Sequence, residues 1–473
     1  MGVGLFTRAD DQKTEYRGQD QERFSHFIGF GFQNGKTGNF SINNLLTFNL
    51  STLYPKPVHF HKTLTPIVLS LLACLCATAQ DTSQSHAPDT SQSHRLHWFS
   101  GTQPVDLIDI GRSLLLRHPK PRLDTTAKIP GRLYASLLPS AEYTLQTSFA
   151  LDLVGNLAFY TSDEPLENLS NLYLNTTFTA KQQILIPLQG NIWSKGNRYN
   201  LLNDWRYEKY PQDTYGLGGK TTTANSDAID YSYLRFYTTL LKTIAPDFYL
   251  GIGYNVDYFY NVHEVSPPAT ATTDFKRYGF TPTSLSSGPT INLLYDGRRN
   301  SINPEPGYYA NIVYRPNFTA FGSDSNWQSL LVDARAYKRF PAGSKNIIAF
   351  WTFDYFTLNG KPPYLLLPAT ASDTYSNMGR GYIQGRFRGR DVLYLESEYR
   401  FSLLRNGLLG GVVFVNAQSF TEPTSNRFQT INPGWGAGIR VRLNKFSRTN
   451  IALDYGFGLN GSRGIFANLG EVF

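Results

Sequence analysis

Between Ser376 and Phe401 the chain reads SNMGRGYIQGRFRGRDVLYLESEYRF, a run of arginines among glycines followed by two carboxylates, Glu396 and Glu398, at alternate positions. Paired carboxylates serve acid–base catalysis or hold cations. No nucleophile or base accompanies these two in the sequence, so ion pairing is the chemistry they point to. The second half of the stretch alternates strictly. Leu393, Leu395, Tyr399 and Phe401 fall on one face, and Glu396, Glu398 and Arg400 fall on the other. A strand with one greasy and one charged face separates two unlike environments. In a soluble sandwich the apolar face looks inward; in a membrane barrel it looks out at lipid and the charges line the lumen.

Other chemistry-bearing patterns fail on inspection. Thr214–Thr221, TYGLGGKT, looks like a phosphate loop, but Thr stands where the first glycine belongs and no helix pattern follows. No G-x-S-x-G elbow occurs. His59, His61 and His263 are scattered rather than spaced as metal ligands. The two cysteines, Cys74 and Cys76, sit two apart inside a hydrophobic run, which suits neither a disulfide nor a metal site. The sequence therefore leads us to expect no catalytic residues, no metal and no cofactor. The formal net charge is +8, but Lys and Arg are dispersed along alternating segments, so nucleic acid is not the expected partner.

The elements that position the arginine loop occupy residues 139–473. Alternating segments follow one another without helical patterns between them, from 139–146 through 391–403 to 464–473. They make about sixteen strands, the even number of a closed antiparallel membrane barrel. The expected fold class is thus all-β, a transmembrane antiparallel β-barrel. In 249–260, Leu250, Ile252, Tyr254, Val256 and Tyr258 alternate with Gly251, Gly253, Asn255 and Asp257. Ile439, Val441 and Leu443 alternate with Arg440, Arg442 and Asn444, and Ile451, Leu453, Tyr455 and Phe457 with Ala452, Asp454 and Gly456. Connections also alternate in length. Those after even strands are mostly short, while 211–228, 263–282, 359–390 and 420–433, after odd strands, are long. Short turns on one side and long loops on the other are the outer-membrane pattern. Thirty Tyr, 32 Phe and 40 Gly, with negative mean hydropathy, suit strands that carry aromatic girdles rather than a bundle of membrane helices. The chain ends with Ile465, Ala467, Leu469, Glu471 and Phe473 in alternation, as if on one strand face.

Ahead of the barrel, residues 1–61 show no clear period. Residues 62–79 read as a secretory signal, a basic residue, a short apolar core and the small-x-small site Ala77-Thr78-Ala79. A transmembrane helix is the alternative, disfavoured by the short run and Pro66. An internal signal suggests that residues 1 to about 57 arise from a start codon called too far upstream. Leu71-Leu72-Ala73-Cys74 also resembles a lipidation box, with Leu72 a poor fit. Residues 80–138 read as a low-complexity linker, in which DTSQSH occurs at Asp81 and Asp89 and one amphipathic helix is expected over Pro104–Arg117.

Met378-Gly379-Arg380-Gly381-Tyr382, in the long loop before the twelfth expected strand, resembles the Arg-Gly-aromatic signature of the Omp85 superfamily, the outer-membrane assembly and translocation barrels of bacterial surface-antigen type. The run Pro211–Gly218, the turn Tyr295–Gly307 and the Gly470-x-x-Phe473 ending are similar to other parts of that family. The resemblance covers residues 139–473 and implies that Arg380 folds into the lumen and meets inward acids on the twelfth and thirteenth strands. Glu398 matches the first acid. Asn416 stands where the second belongs, leaving Arg380 one formal partner and one neutral acceptor. Gly381 lets the loop backbone lie against the wall, and Tyr382 packs beside it. The resemblance also implies a weak lateral seam between first and last strands, carried here by Tyr143, Gly464, Gly470 and Phe473. The family's periplasmic POTRA modules are each longer than 81–138, so none is expected there.

Two function classes follow. One is an Omp85-type barrel of the outer membrane that assists insertion, assembly or translocation of protein or lipid, with outer-membrane lipid, lipopolysaccharide and client or accessory proteins as partners. The other is a passive channel or structural barrel in which lumen arginines such as Arg440 and Arg442 favour anions. An enzyme is not expected.

Overall fold

The alternating segments do form strands, and they pair in sequence order. The computed structural model describes residues 101–116, 133–144, 146–162, 167–265 and 272–473. The expected unassigned region, the signal segment and most of the linker lie outside these residues. The strands are β1 (Tyr134–Thr144), β2 (Ser148–Phe159), β3 (Ser170–Thr179), β4 (Ile184–Trp193), β5 (Tyr199–Lys209), β6 (Gln212–Thr214), β7 (Asp227–Ala245), β8 (Phe248–Glu264) and β9 (Ser284–Asp296). They continue with β10 (Gly307–Asn317), β11 (Trp327–Arg339), β12 (Ile347–Gly360), β13 (Val392–Ser402), β14 (Leu409–Phe420), β15 (Asn432–Asn444), β16 (Thr449–Gly458) and β17 (Arg463–Leu469). All pairings are antiparallel, and all belong to one sheet.

The seventeen described strands reduce to sixteen staves. Lys209 of β5 faces Ser232 of β7, and Gln212 of β6 faces Ile229 in the same register. β5 and β6 are therefore one stave, interrupted at Pro211, which has no N–H to offer the ladder. The sheet runs as a meander from β1 to β17. Among the described residues its two edge strands approach within 8 Å, Cα to Cα, without a ladder between them. The cylinder expected to be closed is thus not closed by backbone hydrogen bonds at that one junction.

The two faces sort as the alternation requires. On β13, Tyr394, Glu396, Glu398 and Arg400 are buried, whereas Leu393 and Leu395 are exposed. Leu250, Ile252, Ile291, Ile439, Leu453 and Leu469 join them on the outer surface. Water would tolerate so continuous an apolar belt poorly, whereas lipid matches it. No described helix is long and apolar enough to cross a membrane. The bore is filled by aromatic side chains in two groups. One centres on Tyr337, Trp351, Tyr394 and Phe420, the other on Tyr231, Tyr233, Phe259 and Tyr364.

Three expectations about the ends need correction. β1 begins at Tyr134, five residues earlier than expected, so the first strand is not short. β17 stops at Leu469, because Gly470 adopts φ 98° and turns the chain out of the strand. Glu471 and Phe473 therefore do not share the outer face of Ile465 and Leu469, and Phe473 is buried in the bore. The helix expected over Pro104–Arg117 is α1 (Leu107–Leu115). Asp106 caps it by accepting from Asp109 N at 2.7 Å, so Pro104 lies ahead of the cap rather than in the first turn. α1 docks at the short-turn end of the barrel. Lys445 N donates to Asp106 Oδ2, and Lys445 Nζ pairs with Asp109 Oδ2, both at 2.8 Å.

Candidate functional site

The loop between β12 and β13, residues 361–391, folds into the bore and is pinned there at several points. Asp373 accepts from Met378 N at 2.7 Å, which shapes the turn carrying Arg380. Farther along, Arg388 O accepts from Gly218 N at 2.6 Å, and Gln384 accepts from Tyr210 OH at 2.6 Å. The Pro211–Gly218 run singled out in the sequence therefore braces the loop, and the phosphate-loop look-alike is part of that brace. At the loop's inner tip Gly381 has φ 106°, and its Cα lies against the β16 backbone. A Cβ added there would collide with Phe457 O, and one added at Gly456 would come within 2.7 Å of Gly381 N. Backbone meets backbone, and only glycine leaves that contact open.

That contact delivers Arg380 to a wall of carboxylates. Its guanidinium is 1% exposed. It donates from Nη2 to Glu396 Oε1 and Glu398 Oε1, and from Nη1 to Asp454 Oδ2. Its plane lies 3.7 Å over the Phe414 ring. Each acid has a second partner. Arg400 Nε donates to Glu398 Oε2 at 2.7 Å, Arg440 Nη1 donates to Asp454 Oδ1 at 2.5 Å, and the Tyr394 hydroxyl donates to Glu396. Arg440 Nε also holds Glu471 Oε2 at 2.7 Å. A desolvated guanidinium needs this density of acceptors, since burial without them costs several kcal/mol per ion. Tyr382 lies beside the tip, donating to Pro433 O at 2.6 Å and accepting from Leu459 N at 2.9 Å.

The structure brings Arg380, Gly381, Tyr382, Glu398 and Asn416 together and alters the expected role of the last. Asn416 is not a substitute acceptor for the guanidinium. Its Nδ2 donates to the Arg380 carbonyl at 2.9 Å, which fixes the loop backbone. The acid expected at the position of Asn416, on β14, is replaced from elsewhere, by Glu396 on β13 and Asp454 on β16. Both residues stood on the inward face of their alternating segments, but nothing in the sequence tied either to Arg380. Replacing Asn416 with aspartate is accordingly expected to loosen the loop rather than tighten it. It removes a donor and adds a fourth carboxylate, at a cost of about 1–3 kcal/mol. Thermal melting of purified N416D should show a lower midpoint than wild type, and a raised one would contradict this assignment.

Of the four residues expected at the seam, Tyr143 lies on β1 and Gly464 on β17, the two strands that flank the junction, each laddered on its other side. Tyr143 pairs with Phe149 in the β1–β2 ladder, and Gly464 pairs with Gly456 in the β16–β17 ladder. Gly470 donates from N to Asn450 O at 2.8 Å at the turn that ends β17. Phe473 belongs to the bore. Its ring stacks on Trp351 with centroids 5.2 Å apart, and its carbonyl accepts from Arg400 Nη2 at 2.9 Å. The Tyr295–Gly307 turn helps hold this tail, because Ile302 O accepts from Glu471 N at 2.8 Å. The lumen cation Arg440 is not free to attract anions, since Asp454 and Glu471 neutralise it.

Among the described residues, fold and site define a β-barrel of sixteen staves with an apolar outer belt, an arginine loop sealed in its bore and one junction without a ladder. Among solved structures the chain is similar to BamA from Haemophilus ducreyi lacking POTRA domains 1-3, at 15% identity over 76% of this chain and 78% of that one, with a TM-score of 0.49. It is also similar to CdiB from Acinetobacter baumannii (11% identity, 72% of this chain and 60% of that chain, TM-score 0.46) and to CdiB from Escherichia coli (10%, 72% and 64%, TM-score 0.47). No family model matches the chain. No curated protein matches it either. At identities of 15% and below, such likeness says nothing of what this chain binds or moves.

Proposed function

We propose that the chain is an Omp85-type barrel of a Gram-negative outer membrane that assists insertion, assembly or translocation of protein there. The observation that carries this reading is the junction of β1 and β17. Among the described residues every other neighbouring pair of staves is laddered, and this pair is not. An unladdered strand edge facing lipid is costly to leave open and ready to accept another strand. A client strand pairing with β1 or β17 would satisfy those groups, the recognition mode of strand addition. The latch supports the same reading. Arg380 ties the loop to β13 and β16, which stiffens the C-terminal wall beside the junction while leaving the junction itself free. The short turns then face the periplasm and the long loops the exterior. Lipid, lipopolysaccharide and client outer-membrane proteins are the partners this requires.

Of the two arginines that the passive-channel reading named, Arg440 is paired by Asp454 and Glu471, whereas Arg442 has no ion-pair partner among the described residues, and the loop seated in the bore narrows the path. Cysteine pairs placed across β1 and β17 separate the two readings. Oxidised barrels should fail to promote insertion of a reporter outer-membrane protein into liposomes, and reduction should restore it. A locked junction with undiminished insertion would rule out the strand-addition route.

A further inference from the structure

We propose that the short-turn mouth of the barrel holds a binding site for a compact, multiply charged phosphate group. This inference stands whether or not the seam opens. A cavity of about 560 Å³ lies between four turns and the lead-in to α1, a volume typical of small-ligand sites. The turns are 297–306, 340–346, 403–408 and 445–448, and Thr102, Pro104 and Val105 cross its opening.

Its charge is one-sided. Arg339, Lys345, Arg405 and Arg442 line it and have no ion-pair partner among the described residues. Arg400, Arg440, Lys445 and Arg448 line it too, each in an ion pair. Among the described residues the carboxylates in its wall are Glu305, taken by Arg448, and Glu471, taken by Arg440 and Arg400. With the partners Glu398, Asp454 and Asp109 counted beside the two wall acids, eight cations face five carboxylates, a formal excess of three positive charges around one cavity. Two of the wall's guanidiniums also carry buried nitrogens with no hydrogen-bond partner, Nε of Arg442 and Nη1 of Arg400, and Arg400 is only 7% exposed.

Such an arrangement is expensive unless an anion shares it. Six of the eight cations are arginines, whose planar forks match phosphate oxygens in pairs. The crossing segment and the four turns border a half-open pocket, whose size suits a compact group over an extended acidic chain. A free oligophosphate and a phospholipid headgroup share this chemistry.

The test uses the full chain, folded in neutral detergent and titrated calorimetrically with tripolyphosphate. We expect saturable binding at one site per barrel. Replacing both Arg405 and Arg442 with alanine should weaken it roughly tenfold or more, since each removes a charge-assisted contact. Gel mobility of the unheated protein reports whether that variant is folded. Lys345→Ala and Arg405→Ala, on exposed side chains, serve singly if it is not. Absence of saturable binding, or binding unchanged in the folded variants, would overturn the site. Repeating the titration in lipid nanodiscs identifies the source. Binding lost in phosphatidylglycerol discs but kept in phosphatidylcholine discs supports the site as one for a lipid headgroup, and equal binding in both supports it as one for free phosphate.

Discussion

Replacing Arg380 with alanine is expected to destabilise the barrel by about 3–5 kcal/mol. The reason is the bookkeeping of partners. Without Arg380, Glu398 keeps Arg400 and Asp454 keeps Arg440. Glu396 keeps only the Tyr394 hydroxyl. It becomes a buried charge with no cation, and most of the cost falls there. The double variant R380A/E396Q should therefore recover a substantial part of the loss, because glutamine removes the orphaned charge. Arg380→Lys should fall between, since one ammonium cannot reach three carboxylates with the fork of a guanidinium. Resistance of the folded gel band to heating is the measurement. Unaltered resistance in R380A, or no rescue by E396Q, would mean that the three acids do not depend on Arg380.

The second large effect concerns the last residue. Phe473→Ala should cost about 3–5 kcal/mol, the usual penalty for emptying a phenylalanine site in a packed interior. The ring is 3% exposed, stacks on Trp351 and lies 5.1 Å from the Arg400 guanidinium. Leu469→Ala is the control. That side chain is 70% exposed on the outer face, so its truncation should cost far less. Thermal melting of the two purified barrels in the same detergent decides the matter. Equal midpoints would place Phe473 on the lipid side after all.

Much of this architecture was legible in the residue pattern, and the limits are physical. Period-two alternation reveals which residues of a strand face inward, so Glu396, Glu398, Arg400, Arg440 and Asp454 could all be assigned to the bore. Alternation is silent about which inward residues meet across it, because that depends on the stagger between staves. Asp454 lies 74 positions from Arg380, and only the folded register brings them together. The tail misled for a different reason. The alternation of Ile465, Ala467 and Leu469 continues formally through Glu471 and Phe473, but one glycine at positive φ ends the strand without breaking the pattern. The split of one stave into β5 and β6 likewise follows from the missing N–H of Pro211, which leaves the register intact and the stave count unchanged. Asn416 shows a resemblance giving the right place and the wrong chemistry, since its amide holds the backbone of Arg380 and not its side chain.

The helix at the mouth and the arginine in the bore are both held by ions, yet they answer differently to dissolved salt. Lys445 and Asp109 are each about a quarter exposed, within reach of an ionic atmosphere that damps attraction beyond roughly 8 Å at physiological strength. The Arg380 pairs admit no such atmosphere. Dissolved salt would therefore weaken the exposed Lys445–Asp109 pair of the helix while leaving the buried pairs of the arginine loop in place.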